Sequence, residues 1–267
     1  MMNDAHVHVG YFSRKRWREP FYYSPRRIWG VLNRCGTDNF IVSSTCAQIR
    51  ELKIADIIRE AKEIKRLAGR RAHVFFWLSG HLYDEDRTLG WLKSGLFDGI
   101  KFHECETSWV EKRERDLLNI LESVADRNLP VQFHSGKGGN CMPGKLAAIA
   151  KRFPKVRFDF AHCPDMKEMS RVMSRCPNVW TDTAYLPLEQ FSRLKDYNWH
   201  GRLMFGTDLP VWQAHEGCSL TNRYREYYEA FSCNYDGRLA NRALADFLNG
   251  RLPKFRKTAI INQDERM

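Results

Sequence analysis

A series of polar side chains stands at the C-terminal ends of short apolar runs. They are His6 and His8 in DAHVHVG, Lys101 and His103 in GIKFHE, His134 in PVQFHSG, His162 in VRFDFAHCP, and Asp208 in LMFGTDLP. Imidazole and carboxylate are the donors that a divalent transition metal takes, and a strand end is where a parallel barrel presents its reactive groups. Residues two apart on a strand project to the same side, so His6 and His8 make a chelating pair. One strand-end histidine would mean little, because a buried imidazole needs only hydrogen-bond partners. The ordered set points instead to a metallohydrolase.

Such a set needs a scaffold that brings many strand ends together. Short hydrophobic runs predict strands at Asp4 to Val9, Asn39 to Ser44, Ala72 to Leu78, Gly99 to His103, Pro130 to His134, Val156 to His162, Asn178 to Thr183 and Arg202 to Thr207. Between them lie stretches of helical period. Gln48 to Ala68 carries a stripe of Ile54, Ile57, Ile58, Ala61, Ile64 and Ala68, and Val110 to Arg127 carries Leu117, Leu118, Leu121 and Val124. Further helices are predicted at Lys145 to Phe153, Asp165 to Arg175, Leu188 to Lys195 and Arg238 to Asn249. Asp165 reads as an N-cap, and Gly69 and Gly250 as C-terminal caps. Strand alternating with helix eight times predicts an α/β fold, a single-domain (β/α)8 TIM barrel, for which 267 residues suffice. The domain is expected over residues 1–250, with a basic C-terminal tail at 251–267 that carries Lys254, Arg256 and Lys257.

Composition narrows the partners. No apolar run approaches the roughly 18 residues of a membrane span and the N-terminus enters a strand directly, so a cytoplasmic protein with no membrane partner is expected. The eight cysteines contain no C-x-x-C pair, which suits reduced thiols. The net charge of +11 permits attraction to anions. Its densest cluster is Arg14, Lys15, Arg16 and Arg18, followed by Arg26 and Arg27, after the first strand, where a barrel places substrate loops. Arg14, Arg16 and Arg18 are candidate substrate contacts, and Gly10 to Arg27 reads as an irregular aromatic and basic loop over the mouth. No nucleic-acid module is present, so a small-molecule substrate is expected and nucleic acid is not; a homo-oligomer is allowed. The run Gly139 to Lys145 has Walker A spacing, but Leu146 stands where the Mg-binding Ser or Thr belongs, so it is rejected as a phosphate loop.

Together these motifs resemble the amidohydrolase superfamily, in its amidohydrolase 2 branch of TIM-barrel metal-dependent hydrolases and decarboxylases. The resemblance runs from DAHVHVG to FGTDLP. It implies metal ligation by His6, His8, His134 and Asp208, with His162 beside the metal orienting water or substrate. It also implies a divalent ion, zinc by preference. One ion is favoured, and two are allowed because two-metal members carry a carboxylated lysine or a glutamate on strand four, where Lys101 and His103 fall. A metal held by imidazoles and a carboxylate activates water near pH ~7. Asp208 would take the water proton and pass it on, while His162 or Lys101 would stabilise charge on the substrate oxygen. Catalytic roles are therefore expected for Asp208 and His162, and substrate contacts for Lys101 and His103. The expected reaction is attack on an amide, ester or lactone carbonyl of a small anionic molecule. The alternatives are non-oxidative decarboxylation of an aromatic or unsaturated acid, or a non-enzymatic polyanion-binding barrel. Asp182, at the end of VWTDTA, reads as a helix cap or as a partner behind a ligand rather than as a group that orients substrate.

Overall fold

The computed structural model describes residues 2–12, 21–45, 53–104, 108–211 and 219–251. Its apolar runs become β1 (Met2–Phe12), β3 (Thr37–Ser44), β4 (Ala72–Leu78), β5 (Gly99–His103), β6 (Val131–His134), β7 (Phe158–Ala161), β8 (Val179–Asp182) and β9 (Leu203–Met204), joined by a short β2 (Phe21–Tyr23). All but β2 pair in parallel and in chain order. After β9 the chain turns back onto β1. Ala5 N–H donates to Phe205 O at 2.7 Å, His8 N–H to Leu209 O at 2.7 Å, and Asp208 N–H to His6 O at 2.9 Å, which closes the barrel. The closure is clamped by Asp4, whose carboxylate accepts from Thr207 N–H at 3.1 Å and from the Thr207 hydroxyl at 2.7 Å. Burial raises the Asp4 pKa to about 7.

Alternation along each strand sorts the interior into layers. Ile41, Phe75, Trp180 and Met204 make the floor, and the helix Gly237–Asn249 seals it from below with Ala243, Leu244 and Phe247. Two residues further along each strand stand Ser43, Trp77, Asp182 and Gly206, at the upper end. Lys101 and His103 on β5 and Gln132 and His134 on β6 follow the same alternation. Outside the barrel, the helix Ile54–Ala68 buries Ile57, Ala61, Ile64 and Ala68, the predicted stripe. Each fully buried branched side chain is worth about 1.5–3 kcal/mol. The Asp165 side chain accepts from Glu168 N–H, and Gly250 ends the last helix at φ 80°.

Several expectations are corrected. Gly10 to Arg27 is not a wholly irregular loop: β1 continues to Phe12, Tyr11 and Phe12 pair antiparallel with Tyr22 and Phe21, and a helix spans Pro25–Arg34. The aromatics there supply strand pairs, as when Tyr11 meets Tyr22 at 4.5 Å between ring centres. The single helix expected at Val110 to Arg127 is two, Trp109–Lys112 and Glu114–Asp126, parted at Arg113, whose ψ of 35° leaves the helical well. Leu188–Asp196 is a 3-10 helix. Helices at Glu85–Lys93 and Leu220–Ser232 carried too few apolar repeats in the sequence to be predicted. The thiols are not all reduced, because Cys141 is disulfide-bonded. Such pairing depends on tertiary proximity, which spacing along the chain does not reveal. Arg14, Arg16, Arg18, residues 48–52 and nearly all of the basic tail also lie outside the described residues. No helix among the described residues is long and apolar enough to cross a membrane.

Candidate metal centre

At the upper end of the barrel, β1 carries His6 and His8 inward, both buried, with their Nε2 atoms 3.2 Å apart. Their other ring nitrogens are engaged. His6 Nδ1–H donates to Asp182 Oδ2 at 2.9 Å, and His8 Nδ1 faces the Ser43 carbonyl at 3.3 Å and the Ser43 hydroxyl at 3.0 Å. That assignment leaves both Nε2 lone pairs turned to one point. Asp208 Oδ1 stands 3.0 Å from His8 Nε2 and 3.6 Å from His6 Nε2. Asp208 has φ 57° and His162 φ 75°, a backbone region that non-glycine residues occupy at some cost and that gathers at functional sites.

Two imidazole lone pairs and a carboxylate oxygen converging in a buried place call for a cation. Part of that need is met by Lys101, whose Nζ lies 2.6 Å from His6 Nε2 and 3.2 Å from His8 Nε2. Burial holds both histidines well below the usual imidazole range, and the Lys101 charge adds to it. Neutral imidazoles are the form that ligates metal. Ligand atoms of His6, His8 and Asp208 all lie within 4.8 Å of one another, as do those of His6, His162 and Asp182. The donor set therefore fits a divalent ion.

His134 and His162 form a second pair beside it. His162 Nδ1–H donates to Ala184 O at 3.1 Å, so its Nε2 accepts from His134 Nδ1–H at 2.9 Å. The His162 ring is 4.8 Å from that of His6. His134 is thus one imidazole removed from the His6, His8 and Asp208 group. His103, its neighbour across β5 and β6, stacks on it at 3.8 Å and lies flat against Trp77 at 5.6 Å. Lys101 points into the cluster and His103 lies in its wall. Burial lowers the pKa of both His103 and His134 well below the ordinary value.

Asp182 has more partners here than its position in VWTDTA implied. Besides His6 it accepts from the backbone N–H groups of His162 and Ala184, both at 2.9 Å, and so ties two histidines to one carboxylate. Ser43 and Trp77, unremarked in the sequence, hold His8 and wall the cluster. Ser43 ends the apolar run FIVSS, a strand-end signal of the same kind. Gly206 is fixed by space, since a Cβ there would lie 3.1 Å from Asp182 Cβ and Cγ and from His6 Cβ. Gly206→Ala is expected to fold and to lose metal affinity about 10–100-fold, the usual cost of disturbing a ligand's orienting partner. Metal retained after dialysis at the wild-type level would show that the pair tolerates displacement.

Two histidines and Asp208 give onto open space. A cavity of about 410 Å³ adjoins the cluster, lined on one side by His134, His162 and Asp208.

Comparison with known proteins agrees with this fold. The chain matches none of the curated proteins. Solved structures with the same fold include a probable 2-pyrone-4,6-dicarboxylic acid hydrolase from Acinetobacter baumannii with citric acid bound. It is 12% identical, with 93% of this chain and 99% of that chain covered and a TM-score of 0.67. An amidohydrolase from Burkholderia multivorans with bound zinc is 13% identical, over 95% and 100% of the chains, at a TM-score of 0.62. A 4-oxalomesaconate hydratase from Rhodopseudomonas palustris is 12% identical, over 92% and 97%, at 0.56. The profile of the amidohydrolase family Amidohydro_2 matches residues 61–220, more than half of the chain. With a closed barrel and a His, His, Asp cluster at its upper end, the chain belongs to the Amidohydro_2 family of metal-dependent enzymes.

Proposed function

We propose that this enzyme is a hydrolase in which one divalent ion, zinc by its donors, is held by His6, His8 and Asp208 with His134 close by. Its substrate is a small anionic molecule with an amide, ester or lactone carbonyl. The observation that carries the reading is the convergence of two Nε2 lone pairs and one carboxylate oxygen at the edge of a cavity. When bound, the metal supplies Lewis-acid activation of water and of the carbonyl at neutral pH. Asp208, on the cavity wall, accepts the proton of the attacking water and delivers it to the leaving group. The proton shared by His134 Nδ1 and His162 Nε2 also lies at the cavity. Held between Ala184 O and His134, the His162 ring is fixed at the cavity wall, where it orients the substrate. Asp182 keeps His6 in the ligating tautomer and fixes the backbone that carries His162. The zinc-bound neighbour and the dicarboxylic acid hydrolase with citric acid support this choice of metal and substrate charge.

The same residues would serve loss of carbon dioxide from an aromatic or unsaturated acid, and the hydratase neighbour shows the fold in a role other than hydrolysis. A two-ion site is the second reading of the metal, favoured by one observation: Lys101 Nζ reaches both histidines. In two-metal members of the superfamily a carboxylated lysine on this strand bridges the ions. One experiment separates these readings. Elemental analysis of purified protein is expected to give one metal per chain, and a panel of anionic lactones, esters, amides and unsaturated acids is expected to show metal-dependent hydrolysis. Two metals per chain would select the bridged site, carbon dioxide release would select the decarboxylase, and no metal at all would overturn the proposal.

A further inference from the structure

The cavity beside the cluster has a second end that the metal chemistry does not use. Pro164, Tyr185, Leu186 and Pro187 make its apolar wall, and Lys137 and Gln190 its polar part. The exposed Tyr185 is held at φ 60°, its ring 6.4 Å from that of His162 and nearly perpendicular to it. Lys137 sits on the loop after β6. The base of that loop is pinned on both sides: Ser135 Oγ donates to Ala161 O, and Gly136 N–H donates to Cys141 O at 2.9 Å. Lys137 is the only lysine or arginine among the described lining residues, and it makes no ion pair or hydrogen bond among the described residues. Asp208 is the only acid among them.

This arrangement sorts a ligand by charge and shape. A carboxylate group finds a cation at Lys137, away from the metal centre, so the ammonium anchors the acid group of an anionic substrate while its other end meets the cluster. The apolar wall offers nothing to a small hydrophilic anion, but it buries a flat ring or an unsaturated chain. The volume of about 410 Å³ lies in the range of about 300–1,000 Å³ typical of small-molecule sites. The geometry points to Lys137 as the specificity-determining residue for a flat cyclic or unsaturated carboxylate, whose acid group pairs with its ammonium while its reacting group meets His134, His162 and Asp208. This rests on the hydrolase reading for the reacting end only. The anion end stands on the cavity itself.

The test is calorimetric titration of the zinc-loaded protein with 3-carbamoylbenzoate and with benzene-1,3-dicarboxamide, which has lost the single charge. The wild type is expected to bind the carboxylate about tenfold more tightly. Lys137→Ala is expected to erase that preference, Lys137→Arg to restore most of it, and Lys155→Ala, an equal charge change at the opposite end of β7, to leave it intact. Equal binding of the two probes by the wild type, no binding of either, or an unchanged preference in Lys137→Ala would overturn the inference. A protein that takes up no zinc yet keeps the Lys137-dependent preference would overturn the hydrolase reading and leave the anion site standing.

Discussion

Alanine at His6 or His8 is expected to strip the metal from the protein. Each residue offers one of the two converging Nε2 lone pairs. The loss should exceed the roughly 10–100-fold that follows removal of an outer partner alone. Asp182→Asn, which removes the charge that holds the His6 tautomer, is expected to fall within that milder range. Zinc content after dialysis against a weak chelator reads the difference, with His73→Ala as control, because His73 lies near the start of β4 at the far end of the barrel. Full metal occupancy in His6→Ala would remove His6 from the site.

Asparagine at Asp208 is expected to separate binding from turnover. Asn keeps an oxygen for the ion and tolerates the positive φ of 57° at this position, but it cannot accept a proton. Loss of a positioned proton acceptor costs about 10²–10⁴-fold in rate. The variant should therefore retain most of its metal and lose kcat by that factor, measured on whichever substrate the panel identifies. Unchanged turnover would take the proton-transfer role from Asp208, and metal loss equal to that of His6→Ala would make it a ligand only.

The scaffold was legible because its signal is local. A parallel strand buried on both faces reads as an apolar run, and each of the eight runs became a barrel strand, with ends shifted by up to three residues, as at Met2–Phe12 and Leu203–Met204. The strand-end polar residues followed from the same signal, since parity alone puts His6 with His8 and Lys101 with His103. What sequence could not supply was the angle of approach. His134 stands beside His162 rather than among the group formed by His6, His8 and Asp208, and Asp182 reaches two histidines at once. Such distances are set by barrel curvature and by side-chain rotamers. The helix Pro25–Arg34 hid in a basic, aromatic stretch because its start is set by one Ser24 cap and a proline, while its buried face has only Ile28, Val31 and Leu32 beyond Pro25. Lys137 carried no sequence signal, since a lysine between glycines is ordinary on a surface; only the cavity gives it meaning.

The central claim is that His6, His8 and Asp208 hold the catalytic ion. Anomalous diffraction at the zinc absorption edge, from crystals of protein whose zinc content has been measured, tests it most directly. The account predicts a peak at bonding distance from both Nε2 atoms and the Asp208 carboxylate, with Lys101 Nζ displaced from between the two histidines or joined to the ion. A zinc-containing crystal whose peak lies away from this cluster, with Lys101 still bridging His6 and His8, would contradict it.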